Sequence, residues 1–134
     1  MRHLPIILIF IASTHLLFAQ HSTGEWIAPV EFATLKIPIQ SSNEAIAKGR
    51  LVYKKPCTAW HGTKGKGDGL GSISLNPKPA DFSIPTIQEQ TDGALYWKIL
   101  KGRPPMESFE NLLTEEEIWE VVIYIRTFDK INVK

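Results

Sequence analysis

The sequence predicts an all-α domain of three main helices joined by long loops, and three observations carry that prediction. Ile118, Val121, Val122 and Ile125 recur at the spacing of one apolar helix face. Leu95, Ile99 and Leu100 mark a second stripe, with Thr91 or Asp92 as its cap and Gly102 as its end. No stretch alternates apolar and polar residues with comparable regularity, so no strand is predicted, and no internal repeat is present.

The chain has 134 residues, enough for one domain. It opens on "MRHLPIILIFIASTHLLFAQ", a short positive start followed by a mostly apolar run, the layout of a secretory signal peptide over residues 1–19. Cleavage is expected after Ala19. The alternative is an uncleaved membrane anchor, but the run is shorter than the ~20 residues a spanning helix needs. Pro5, Thr14 and His15 weaken it further, so no stable membrane anchor is expected. The mature chain is therefore expected in the periplasm, or otherwise exported. Arg2 is the only charged residue of the leader, so the remainder carries 14 basic and 14 acidic residues. That balance argues against nucleic acid as a partner, since such binders carry a basic excess.

Residues 20–42 hold Pro29, Pro38 and many large apolar residues without helical spacing, and read as an N-terminal arm laid on the surface. The first helix follows in "SSNEAIAKGRLVYKK", where Ser41 and Glu44 form a candidate capping box and Pro56 ends the run. Gly49 costs this helix stability unless another helix must come close. Residues 62–83 contain five glycines and two prolines and read as a long loop, a type that is usually functional or disordered. After the second helix, Pro104 and Pro105 fix an extended segment carrying Met106. The last helix starts at a capping box of Thr114 and Glu117, and Glu115 to Glu117 suit the positive end of its dipole.

The chemistry concentrates in "KKPCTAWHGTKGKGDG", residues 54–69. Cys57 precedes His61 by four residues. With a second cysteine in place of Trp60 the stretch would be the attachment signal for a c-type haem. Three readings stand: a haem protein held noncovalently, one with a single tether, or a scaffold that has lost its cofactor. Cys57 is the only cysteine, so no internal disulfide can form in an oxidising compartment. Its uses are cofactor attachment, an intermolecular disulfide, or an idle buried thiol. Lys48, Arg50, Lys54, Lys55, Lys64 and Lys66 form a basic cluster that is either a solvated face or a steering patch for an acidic partner.

Taken in order, "AKGRLVYKKPC", "HGTKGKGDG", "LNPKPADF", "DGALYWKILKGRPPM" and "LTEEEIWEVVIYIRTF" resemble the class I c-type cytochromes, especially bacterial single-haem domains, over about residues 26–128. The resemblance implies a cytochrome c-like fold over residues 43–130, with three helices and long loops around one haem. It implies His61 and Met106 as axial iron ligands and Cys57 as the first thioether cysteine. It implies a proline carbonyl, best matched by Pro77, that orients the histidine, and an aromatic near the haem at Trp97. Gly49 and Tyr53 match the helix that crosses the last helix near Tyr124. Trp60 departs from the pattern, either stacking against the porphyrin or crowding the site. Single-tether members of the family keep the cysteine beside the histidine, and here the reverse holds.

A His/Met ligand pair raises the reduction potential, and filled axial positions favour electron exchange. The expected function is thus an exported single-haem electron carrier, not a catalyst. The haem and its iron would be held through one cysteine or noncovalently. Its partner would be a redox protein, or a dehydrogenase or oxidase subunit. The competing expectation is a haem-free or weakly haem-binding interaction domain on the same scaffold.

Overall fold

A computed structural model describes residues 24–129. The expected signal peptide over residues 1–19 lies outside them, as do residues 20–23 of the arm and residue 130. Six α-helices follow in chain order: α1 (Val30–Ala33), α2 (Asn43–Lys54), α3 (Thr58–His61), α4 (Pro85–Gln88), α5 (Asp92–Lys101) and α6 (Glu115–Arg126). A 3-10 turn spans Leu70–Ser72. Among the described residues there is no strand, only an isolated antiparallel bridge between Arg103 and Met106. The fold is all-α, and its three main helices are α2, α5 and α6. Among the described residues no helix is long and apolar enough to cross a membrane.

Each main helix has its own start signal. Thr114 caps α6 with the reciprocal bonds of a capping box to Glu117. Thr91, rather than Asp92, caps α5 by accepting from the Ala94 amide. At α2 the cap is Ser42, not Ser41. Ser42 holds the extended backbone and accepts from the Ala45 amide, while Glu44 pairs with Lys48 at 3.3 Å.

α2 and α6 cross where Gly49 meets the Glu120 carbonyl. A Cβ at Gly49 would overlap that carbonyl and stand 3.0 Å from the Tyr124 Cβ. The glycine that weakens the helix locally is thus the one that lets two helices touch. Ile118, Val121, Val122 and Ile125 are all buried, in one core with Tyr53, Leu95, Ile99 and Phe109. Burying such side chains is worth about 1.5–3 kcal/mol each, so the α2–α5–α6 layer carries the fold. Tyr96 stacks on Trp119 with centroids 4.3 Å apart, tying α5 to α6.

Arg126 closes the far end of this layer. Its guanidinium donates to the Asp92 carboxylate at 2.8 Å and to the carbonyls of Gln88 and Gln90 at 2.7 and 2.6 Å. One planar fork thus joins α6 to the start of α5 and to the end of α4. The arm includes α1 and lies across α5, where a Cβ on Gly93 would strike the Phe32 carbonyl. Ala28 is buried, and Phe32, Ile37 and Ile39 pack against the core.

Candidate functional site

A cleft of about 210 Å³ opens between the α3 turn, the Leu75–Pro79 stretch and the loop that follows α5. Cys57, Trp60, His61 and Met106 all line it. Pro56, Leu75, Pro79, Pro105 and Phe109 add apolar wall, and Glu107 adds a carboxylate.

His61 is fixed from both sides. Its amide donates to the Cys57 carbonyl at 2.8 Å, so the two residues stand one helical turn apart. Gly62 then ends α3 with φ +76, and Asp68 Oδ1 occupies the space of its missing Cβ. The Tyr53 hydroxyl donates to the Gly62 carbonyl at 2.8 Å, which links the turn to α2.

The imidazole stacks on Phe82 at 4.4 Å between centroids, with 19° between the planes. Its Nδ1 lies 3.2 Å from the Ala80 carbonyl. A carbonyl only accepts, so this contact puts the ring proton on Nδ1 and leaves the Nε2 lone pair available. Burial pushes the His61 pKa below 6.5, with the Ala80 bond opposing it. The ring is therefore neutral at neutral pH, as a metal ligand must be.

Met106 is presented by a loop tied at both ends. Gly102 turns the chain with φ +62, and the Glu107 carbonyl sits where its Cβ would be. The Met106 amide donates to the Arg103 carbonyl at 2.9 Å. Beyond it, the Phe109 amide and the Ser108 hydroxyl both donate to the Leu100 carbonyl, at 3.1 and 2.8 Å.

Burial pushes the Cys57 thiol up to about 12, and the nearby Glu107 carboxylate adds to the effect. Trp60 is 42% exposed, so its ring is not swallowed by the cleft. It lies over the 3-10 turn, where a Cβ on Gly71 would stand 3.0 Å from its Cε3.

One expected position differs. The carbonyl that meets His61 belongs to Ala80, not Pro77. The Phe82 amide donates to the Gly65 carbonyl at 2.6 Å, and the Pro79 carbonyl packs against Gly67, which turns the Ala80 carbonyl toward the ring. Pro77 is exposed, and Pro79 is the loop proline that lines the cleft. Trp97 is not among the lining residues. It packs against Trp26 of the arm at 6.2 Å, a partner that its place on α5 did not reveal. The basic cluster is divided. Lys48 is paired with Glu44 and Glu120, and Lys66 lies 3.9 Å from Asp81. Lys54, Lys55 and Lys64 are exposed.

This donor set fits an iron porphyrin. An oriented neutral imidazole at the end of α3 and a thioether on the loop after α5 share one apolar cleft, and each is held by its own hydrogen bonds.

Three solved structures are similar to this chain. The first belongs to the reducing HAO-like protein complex of Kuenenia stuttgartiensis, at 23% identity and a TM-score of 0.60, over 72% of this chain and 50% of that one. The second is the KustC0563 c-type cytochrome, at 28% identity and a TM-score of 0.52, over 61% of this chain and 98% of that one. The third is cytochrome CL from the marine methylotrophic bacterium Methylophaga aminisulfidivorans, at 24% identity and a TM-score of 0.51, over 64% of this chain and 54% of that one. This chain thus spans about half the length of the first and third, and those two likenesses show the fold alone. No curated protein matches it. Residues 44–125, more than half of the chain, match a family described as "Cytochrome C oxidase, cbb3-type, subunit III". With the all-α fold and the cleft that joins His61 to Met106, that match makes this chain a member of that cytochrome c family.

Proposed function

We propose that this protein is an exported electron carrier that binds one haem in the cleft, with His61 and Met106 as axial ligands and at most one thioether, through Cys57. Membership of a cytochrome c family supplies the cofactor class, haem with its iron, and electron transfer as the class of function. One observation carries the finer reading. His61, oriented by the Ala80 carbonyl with its Nε2 lone pair free, shares one apolar cleft with Met106.

The residues divide the work. Ala80 and Phe82 fix the tautomer and plane of the imidazole. The loop from Gly102 to Phe109 holds the thioether. Leu75, Pro79, Pro105 and Phe109 exclude water, which strengthens electrostatic interactions inside the cleft. Trp60 supplies an aromatic wall where the family pattern has a second cysteine. Bound haem would supply a one-electron couple, and a neutral thioether ligand favours its reduced form. Export follows the leader-like residues 1–19. Exposed Lys54, Lys55 and Lys64 suit an acidic redox partner, such as a dehydrogenase or oxidase subunit.

A pyridine haemochrome spectrum tests this reading. The full chain is expressed in a host with cytochrome c maturation, purified and extracted with acidified acetone. Protein-bound haem with one unsaturated vinyl group indicates a single tether, and freely extracted haem indicates a noncovalent site. A folded, colourless protein would sink the electron-carrier reading and leave the haem-free interaction domain in its place.

A further inference from the structure

Residues 24–39 precede the stretch that matches the family, yet they make close contacts with the loop that presents Met106. Trp26 is the centre of those contacts. Its ring lies 6.2 Å from that of Trp97, at an interplanar angle of 57°. Lys98 Nζ stands 5.4 Å from its centroid, and the Arg103 guanidinium carbon 4.8 Å. Arg103 also donates through Nη1 to the Gly24 carbonyl at 3.0 Å. The arm therefore holds Arg103 twice, once by its aromatic face and once by its backbone.

Arg103 in turn holds Met106. Its carbonyl accepts from the Met106 amide at 2.9 Å, and the two residues form an antiparallel bridge. Pro104 and Pro105, between them, have no amide hydrogen to donate. The arm itself is anchored, because Gly93 of α5 leaves room for the Phe32 carbonyl and Leu35. The contacts run without a break from the arm to Arg103 to Met106.

We propose that residues 24–33 act as a clamp on the Met106 loop, with Trp26 and Arg103 as positioning residues for the Met106 sulfur. The inference rests on Met106 as an iron ligand and adds how that sulfur is kept in place. A neutral thioether is a weak ligand, so its occupancy depends on how firmly the loop presents it. A guanidinium can face an indole and donate a hydrogen bond at its edge at once, which the ammonium of lysine does not reproduce.

Amide hydrogen exchange on the haem-free full chain tests the clamp without reference to activity. In Trp26→Ala the Met106 amide should exchange about tenfold faster than in the parent, the factor set by about 1.4 kcal/mol. Exchange of the Val122 amide in buried α6 should not change. Arg103→Lys should fall between the parent and Trp26→Ala. In the ferric haem-loaded chain, the thioether-to-iron charge-transfer band should be lost at lower pH in Trp26→Ala than in the parent. Unchanged Met106 exchange in both variants overturns the clamp. Equal acceleration at Met106 and Val122 also overturns it, because the arm then only adds global stability. A parent chain that binds haem without that band, yet shows the selective exchange, supports the clamp and removes Met106 as a ligand.

Discussion

Gly49→Ala sets two physical effects against each other, and the sign of the result decides between them. Helix propensity alone says that alanine stabilises α2 by about 1 kcal/mol over glycine. Packing says the opposite. The new Cβ would overlap the Glu120 carbonyl and stand 3.0 Å from the Tyr124 Cβ. Overpacking a filled site costs about 1–3 kcal/mol. The obstacle here is backbone in a buried helix, which cannot swing aside, so the upper end of that range applies. The net loss is about 2 kcal/mol, or a fall in Tm of roughly 10 °C for a domain of this size.

Thermal unfolding followed by far-UV circular dichroism measures it. Ala47→Gly, at an exposed position of the same helix, is the control and should lose only about 1 kcal/mol through propensity. A Gly49→Ala chain that melts at or above the parent refutes the close crossing of α2 and α6. Tyr53 lies one turn further on and carries the hydroxyl that holds Gly62, so the same wedge reaches the histidine turn.

His61 is the only histidine among the described residues, and its pKa is lowered by burial. The unfolded chain therefore takes up the proton first, and haem-free stability should fall as pH drops below 6.5 toward the lower folded value. His61→Asn should flatten that dependence in urea titrations at several pH values, and an unaltered slope would contradict it. Arg126→Lys should cost about 1–2 kcal/mol by urea unfolding, because lysine cannot span Asp92, Gln88 and Gln90 together. A loss below about 0.5 kcal/mol would show that the network contributes little. Trp60→Cys restores the two-cysteine motif and should convert the protein to one whose haem survives acid–acetone extraction with both vinyl groups saturated. Freely extracted haem in that variant would show that Trp60 is not what limits attachment.

The main helices were legible because their signals are local. Thr114 with Glu117, the stripe from Ile118 to Ile125, and Gly102 after Leu100 each fix an element within a turn or two. Ser41 and Ser42 are equally good caps by type, and only the extended backbone of Ser42 separates them. Cys57, Trp60 and His61 stand out by the spacing of one motif, Met106 only through the family resemblance, and the fold brings all four to one cleft. Ala80 and Phe82 could not be read in this way. Any residue carries a carbonyl, and which one faces His61 depends on how the glycine-rich loop closes through Gly65 and Gly67. Trp26 belongs to the arm in the sequence, but its partners on and after α5 lie about seventy residues away, with no periodic signal to link them.

The two reactive side chains one helical turn apart differ sharply in readiness. Burial acts on both, but with opposite chemical results. It lowers the pKa of His61 and so leaves the imidazole neutral and able to ligate. It raises the Cys57 thiol to about 12 and so keeps it protonated. The thiolate is the nucleophile, so attachment through Cys57 must come before its burial in the cleft. In the proposed site, His61 is thus neutral and oriented in the folded chain, while the Cys57 thiol is protonated there. Haem added to the folded chain should therefore be extracted freely, whereas a thioether through Cys57 would have to form before the cleft closes.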